Sequence, residues 1–373
     1  MKKTFLYRAK ISRQTEANAL AWLETCRQLY NLALEHRITV WKNYRRSVTG
    51  YDQAVELPAL KKAFPEFQAV GSQCLQDVLE RLNRAYRAFF RRVKASEKPG
   101  FPRFKSRTRY DSFTLKQAGW KLEGRELMIR NVGRFRLFLS RPVEGEIKTV
   151  TVRHTSTGKW YVSFSCDQVP ERRLTPTGRE VGIDVGIKAF CVDSDGGGVE
   201  SPEFLRESEK LLRRRQRSLS RKKKGSARRK KAKRLVAISH EKVSNQRKDF
   251  LHKTANAYIA RYDAIYVEDL KIRNMVKNRH LAKSISDASW GMFFTLLAYK
   301  AEEAGRELVR VAPNGTSQMC SGCGEKVPKS LSVRTHRCPF CGLVLDRDHN
   351  AALNIRALGP RVQALTCEVS RVA

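Results

Sequence analysis

The chain has 373 residues, with 74 Lys and Arg against 37 Asp and Glu, a formal net charge of +37 and a pI near 10.3. A hydrophobic fraction of 41% is that of a chain that folds, and the length suits two or three domains, so the charge is not a mark of disorder. No apolar run is long enough to span a bilayer, which sets aside a membrane protein, and a field of this size attracts polyanions, nucleic acid being the commonest.

Residues 3–11, KTFLYRAKI, alternate apolar and polar side chains and predict a strand. The basic start lacks the apolar stretch of a signal peptide, so an intracellular N-terminus is expected. Leu20, Leu23, Arg27, Tyr30 and Leu34 recur at helical spacing, followed by a polar, less regular stretch to about residue 65. In SQCLQDVLERLNRAYRAFFRRVKA, Leu75, Val78, Leu79, Leu82, Ala85, Tyr86, Phe89 and Val93 share one helical face and predict core. Arg81, Arg84, Arg87, Arg91 and Arg92 lie mostly elsewhere, as a solvated face or as phosphate contacts. KPGFPRFKSR is stiffened by Pro99 and Pro102 and interleaves Arg103, Lys105 and Arg107 with Phe101 and Phe104. The runs FTLKQAGWKL, ELMIRN, FRLFL, IKTVTVRHT and GKWYVSFSC alternate between Gly, Pro and charged turns. With the N-terminal strand they are expected to close a small barrel, with residues 12–95 inserted as helices. TPTGRE, residues 175–180, reads as a linker.

EVGIDVGIKAFCVDSDGGGV then predicts two or three antiparallel strands with a Gly-rich turn. Residues 206–234 hold sixteen basic and two acidic residues in a polar helical region, either a solvated loop or a grip on a phosphate backbone. Helix continues through 241–261, YDAIYVEDL is a strand ending in acid, and Phe293, Leu296, Leu297, Lys300 and Ala304 mark another helix. RELVRVAP is a further strand, and a cysteine segment precedes the last helix. No internal repeat is visible.

Three carboxylates stand out in this basic chain. In VGIDVGI, alternation puts Val181, Ile183 and Val185 on one face and Gly182, Asp184 and Gly186 on the other. A carboxylate in an apolar strand is costly unless paired, and the flanking glycines are expected to leave open space for a metal or a phosphate. Glu268 ends the strand AIYVED, with Asp269 facing the other way. Asp348 opens a helix whose buried side is Ala351, Ala352 and Ile355. It could be an N-cap, and Asp346 beside it a cap or a supporting partner. Capping does not account for the order Asp, Glu, Asp on strand, strand and helix. An RNase H-like sheet gathers three acids at one edge in that order, where two Mg²⁺ ions would neutralise them and act on a phosphodiester.

Of nine cysteines, Cys26, Cys74, Cys166, Cys191 and Cys367 are scattered and make no disulfide framework. Cys320, Cys323, Cys338 and Cys341 form two C-x-x-C pairs, each followed by glycine. The spacing fits one closed, structural Zn²⁺ site. His336 is not expected to be a ligand, and Arg334 and Arg337 are candidate nucleic-acid contacts.

The stretches YNLALEHR, GFPRFKS, GIDVGIK, YVEDLKIRNM, TSQMCSGCG and CPFCGLVLDRDHNAALNI occur in this order along nearly the whole chain. They resemble the TnpB (OrfB) family of bacterial and archaeal insertion sequences, related to the type V CRISPR effectors. The resemblance implies a multidomain α+β and α/β fold. Residues 1–11 and 96–172 would form a wedge-like β-barrel and 12–95 a helical recognition lobe. Residues 173–310 would form an RNase H-like RuvC nuclease domain with a basic helical insertion at 203–261. A zinc ribbon at 311–344, a final RuvC helix at 345–359 and a tail at 360–373 would complete the chain. The resemblance also implies an RNA-guided DNA endonuclease that is prokaryotic, cytoplasmic and nucleoid-associated. Its partners would be a guide RNA from the transposon end and a double-stranded DNA target, and a monomer is favoured. Carried over by motif, the catalytic acids are Asp184, Glu268 and Asp348, Asp348 being the aspartate of the D-x-N-A-A pattern. Expected nucleic-acid contacts are Arg103, Lys105, Arg107, Arg213, Arg214, Arg221, Lys222, Arg228 and Arg229. The rivals are a nuclease-silent RNA-guided DNA-binding regulator, a protein-only transposase acting on transposon ends, and a packaging protein, which would need no acids.

Overall fold

The computed structural model describes the backbone of residues 1–330 and 332–372, with side chains described as far as residue 362. Cys367 and most of the expected tail therefore lie outside the residues whose side chains are described. The chain divides into two compact units, Met1–Pro170 and Glu171–Ala373.

The first unit opens with β1 (Lys3–Ile11), where the sequence placed it, and α1 (Arg13–Tyr44), whose first turn is capped by the Ser12 hydroxyl accepting the Thr15 N–H at 3.1 Å. The stretch expected to be irregular is helical instead. The first helix runs on to Tyr44, and α2 (Gly50–Val55), α3 (Leu57–Ala63) and α4 (Pro65–Gln68) follow. The clearest predicted helix is α5 (Ser72–Lys94). Its stripe is buried only from Leu75 to Leu82, and Val93, expected in the core, is 49% exposed. The strands β2 (Ser112–Leu115), β3 (Trp120–Glu123), β4 (Glu126–Ile129), β5 (Gly133–Phe138), β6 (Glu146–His154) and β7 (Trp160–Asp167) join β1 in an antiparallel sheet of order β2-β6-β7-β1-β5-β4-β3.

That order has two edges, so the expected closed barrel is an open, curled sheet. The reason is that helices, and not a further strand pairing, cover its apolar face. Phe5, Phe113, Phe135 and Phe164 share one core with Trp22, Leu34, Leu75 and Leu82, and the Trp22 and Phe113 rings lie 5.5 Å apart.

The second unit contains β8 (Glu180–Val185), β9 (Ala189–Asp193), β10 (Gly198–Glu200), α6 (Phe204–Ser220), α7 (Ala227–Arg261), β11 (Ala264–Glu268), α8 (Ile272–Met275), α9 (Ala282–Ala288) and α10 (Trp290–Ala304). It ends with β12 (Glu307–Val311), β13 (Thr335–Arg337), β14 (Val344–Asp346) and α11 (Arg347–Val372). Five strands form a sheet of order β10-β9-β8-β11-β12, in which β8 to β10 are antiparallel and β8, β11 and β12 run parallel. A parallel strand core needs cover on both faces. On one side Val181, Ile183, Ile265 and Val267 pack against Leu251, Tyr258, Phe293 and Leu297 of α7 and α10. On the other, Tyr266 and Val311 pack against Ile355 of α11.

The expected linker is bound down. Leu174 N–H donates to the Ala304 carbonyl at 2.9 Å, and Thr177 and Gly178 donate to the Asp263 carboxylate at 2.7–2.9 Å. The buried Arg306 pairs with Asp263 and donates to the Thr175 carbonyl at 2.8 Å. Among the described residues, no helix is long and apolar enough to cross a membrane.

Gly182 does not leave open space, as its neighbourhood to Asp184 suggested. A Cβ there would overlap the Ala352 carbonyl oxygen and lie 2.6 Å from the Arg356 amide nitrogen, both in the backbone of α11. The absent side chain is what lets the helix lie directly on β8. Gly359 does the same from the helix side, where a Cβ would enter the ring of Tyr266 on β11. Because backbone cannot yield as a side-chain tip can, Gly182→Ala should cost about 2 kcal/mol or more. Hydrogen exchange should report it as faster exchange along α11, with the amides of residues 1–170 unchanged.

Candidate functional site

The pairing of β8 with β11 sets the positions of two acids, and the docking of α11 sets that of a third. Asp184 sits on β8 opposite Val192, Glu268 is the last residue of β11, and Asp348 lies in the first turn of α11. The start of that turn is capped by Asp346, whose Oδ1 accepts the N–H of Asp348 at 2.8 Å and of His349 at 3.2 Å. With Asp346 as the cap, the Asp348 carboxylate is free for other partners. It takes the Arg347 guanidinium at 2.8 and 3.0 Å and faces Arg334 at 3.5 Å. Arg334, expected as a nucleic-acid contact, thus points to an acid.

The charges of Glu268 and Asp348 both act on the Asp184 carboxyl. Burial pushes the Asp184 carboxyl well above the usual carboxylate range, and the charges of Glu268 and then Asp348 push it further, against the opposing pull of Arg347. Burial also raises Glu268, while the Thr316 hydroxyl, donating to its Oε1 at 2.6 Å, lowers it. Such a set fits a hard divalent cation, which binds carboxylate oxygens and removes their repulsion. Among the described residues, only the four cysteines bring ligand atoms all within 4.8 Å of one another.

The sulfur atoms of Cys320 and Cys341 are 3.6 Å apart, and those of Cys323 and Cys338 are 3.5 Å apart. Tetrahedral zinc with bonds of about 2.3 Å would place sulfurs about 3.8 Å apart, so the four fit the ion with little movement. Gly324 and Gly342, at φ 81° and 74°, turn their N–H groups back to the carbonyls of Cys320 and Cys338 at 2.9 and 3.0 Å. Burial opposes ionisation of Cys338, but the N–H groups of Cys341 and Phe340, together with the Cys323 and Cys320 thiols, outweigh it and bring the thiol down to about 7. His336, fully buried against Lys329, stays outside the cluster.

Among the basic residues the structure separates two roles. Lys210, Arg213, Arg214, Arg217, Arg221 and Lys222 line an open groove of about 640 Å³ along α6. Lys210 and Arg217 were missed in the sequence, although their spacing of three and four from the other cations was visible. Arg229 serves the hairpin instead, donating to the carbonyls of Leu219 and Lys222 at 2.9 Å, while Arg228 is exposed. In the first unit, Arg103 is exposed, Arg107 faces Glu24 at 3.4 Å, and Lys105 is tied through its backbone to Asn31 and Arg27 of α1. Thr316, Asn350 and Asn354 were not singled out in the sequence, since a threonine, or an asparagine on a helix, carries no charge signal.

Residues 163–279 match the family model OrfB_IS605, described as a probable transposase, and residues 290–355 match the Cas12f1-like TNB domain. A protein of Streptomyces pristinaespiralis named as an RNA-guided DNA endonuclease is 36% identical over 375 residues, covering 96% of this chain and 90% of its own. InsQ of Escherichia coli strain K12, named likewise, is 33% identical over 382 residues, covering 97% and 93%. The fold resembles the Cas12f1 chain of a cryo-EM complex with sgRNA and target DNA, with a TM-score of 0.60 at 14% identity over 95% of this chain and 98% of that one. The architecture is therefore a Cas12-like mixed α+β fold with a curled half-barrel. Full-length identity at this level makes the chain a member of the TnpB (OrfB) family of insertion-sequence proteins.

Two outcomes follow from the geometry. Purified protein should carry one zinc per chain, measured by mass spectrometry, and Cys341→Ser should lose it. Asp184→Asn should raise the melting temperature in magnesium-free buffer by roughly 2–4 °C, the shift of about 1 kcal/mol in a domain of this size. With its folded-state pKa raised, Asp184 holds its proton in the folded chain after the unfolded chain has released it, so stability falls as pH rises above the ordinary aspartate range. The gain from the asparagine should therefore grow through that window and vanish below it.

Proposed function

We propose that this chain is an RNA-guided DNA endonuclease with a RuvC-type centre made of Asp184, Glu268 and Asp348. The observation that carries the reading is that the charges of Glu268 and Asp348 both act on the buried Asp184 carboxyl, beside a sheet ordered β10-β9-β8-β11-β12. That order, with only the second strand reversed among the central ones, supports an RNase H-like reading. Family membership and relatives named as RNA-guided DNA endonucleases support the same conclusion. In this reading residues 1–11 and 96–172 act as the wedge, 12–95 as the recognition lobe, 173–310 as the nuclease domain, 311–344 as a zinc ribbon and 345–359 as the last nuclease helix.

Two magnesium ions held by the three acids would supply Lewis-acid polarisation of the phosphate and an activated water. The chain's own part is to place the acids. Asp184 is fixed by the sheet ladder, Glu268 by the strand end and its threonine, and Asp348 by the capped first turn of α11. Guide RNA pairing would read the DNA sequence, while the protein holds the backbone and reads a short flanking motif. The groove along α6 suits that backbone, its cations repeating each turn on one face. The four cysteines, with zinc, would hold the ribbon rigid beside α11.

The test begins with expression together with the native downstream flank and sequencing of the RNA that copurifies. One discrete species with a 3′ end running past the element should appear. The loaded protein should cut DNA matching that end, and Asp184→Ala should abolish cutting while sparing binding. A smear of cellular RNA, or cutting by the alanine variant, would refute the reading.

A further inference from the structure

The segment between β12 and the first cysteine pair carries TSQMC. Thr316 is 4% exposed, and its hydroxyl donates to Glu268 Oε1 at 2.6 Å. A hydrogen bond to a carboxylate at this length is charge-assisted and directional. It therefore fixes the rotation of the Glu268 carboxyl group and leaves Oε2 as the oxygen that can turn to a ligand.

Thr316 is itself held from α11. The Asn354 side-chain amide donates to the carbonyls of Thr316 and Met319, both at 2.8 Å. One turn earlier on the same helix, the fully buried Asn350 donates to Met319 O at 2.8 Å and accepts the Ser321 N–H at 3.0 Å. Cys320 is thus gripped on both flanks by the helix that carries Asp348. One network joins Asp348's helix, the first zinc cysteine and Glu268, through side chains that neither ligate a metal nor touch a reacting atom.

We propose that Thr316 is a positioning residue for Glu268 and that Asn354 holds Thr316 in place, so that the two set how tightly the acidic centre takes a divalent cation. The inference rests on the acidic centre assigned above. Hydrogen-bonded partners of metal-ligating carboxylates typically contribute about 10- to 100-fold in metal affinity. Thr316→Val keeps the shape and removes the donor, Thr316→Ser restores it, and Asn354→Asp removes the donor to the loop in an isosteric side chain.

The experiment measures Mn²⁺ binding to the RNA-loaded protein by electron paramagnetic resonance, with zinc content and melting temperature determined on the same samples. DNA cutting is then followed across a magnesium titration. Thr316→Val should weaken Mn²⁺ binding about tenfold and raise the magnesium needed for half-maximal cutting by the same factor. Zinc should stay at one per chain, and Thr316→Ser should return to within about threefold of the parent. Asn354→Asp should weaken Mn²⁺ binding in the same direction. Should the valine variant fail to fold, parent-like Mn²⁺ binding by Asn354→Asp would overturn the proposal as surely as parent-like binding by a folded Thr316→Val. Glu268→Gln serves as the control. If it leaves Mn²⁺ binding unchanged, the acidic centre itself is misassigned. If it abolishes binding while the Thr316 and Asn354 variants do not alter it, only the positioning role is wrong.

Discussion

Everything distinctive in the second unit depends on one close approach, that of the α11 backbone to the strands beneath it. A helix normally rides on a sheet at a distance set by side chains from both. Here β8 presents Gly182, and α11 presents Gly359 to Tyr266, so the helix comes down until backbone meets backbone. The approach carries Asp348 over the end of β8, where it joins Asp184, and sets Asn350 and Asn354 against the loop that leads into the cysteines. Without it Asp348 would stay apart from Asp184 and Glu268, which the pairing of β8 with β11 already places on neighbouring strands.

This approach gathers negative charge in a place where burial already disfavours it. Burial holds the Asp184 carboxyl well above the usual carboxylate range, and the charges of Glu268 and Asp348 raise it further. Arg347 and Arg334 offset part of the negative charge at Asp348, and Thr316 offsets part of it at Glu268. Asp184 lies on the central strand and has the least relief. The arrangement is that of a site whose geometry is kept at the expense of local stability, the usual sign that a ligand completes it.

What was legible in the sequence was whatever depends on near neighbours. Strand β1 follows from simple alternation, and the cysteines stand at the spacing a zinc ion requires. The acids stood out because they are scarce in so basic a chain and stand at the ends and centres of apolar runs. What was not legible depends on distant partners. Gly182 reads equally as open space or as close contact, and the difference is made by Ala352, far along the chain. Strand alternation in the first unit says that there is a sheet, but not whether its edges meet, since helices can cover the same apolar face. The reach of α1 and the short helices after it lay in polar sequence, where the amphipathic pattern is weak. Thr316 was missed because a threonine between glycine and serine looks like a turn until its partner is known.

The stretch ahead of β8 has a consequence for how the two units are tethered. Val169 exchanges backbone hydrogen bonds with Met1 at 2.9 and 3.0 Å, and the N–H of Arg172 is already bound to the Glu303 carbonyl at 3.0 Å. Only Pro170 and Glu171 lie between these anchors. The free tether is thus about two residues long, one of them with its φ locked by a ring. Lengthening it anywhere from Thr175 to Gly178 would strip partners from the buried Arg306 guanidinium, a costly place to leave a charge unpaired. Variation in tether length within such a chain has one inexpensive place to occur, and it is at that proline.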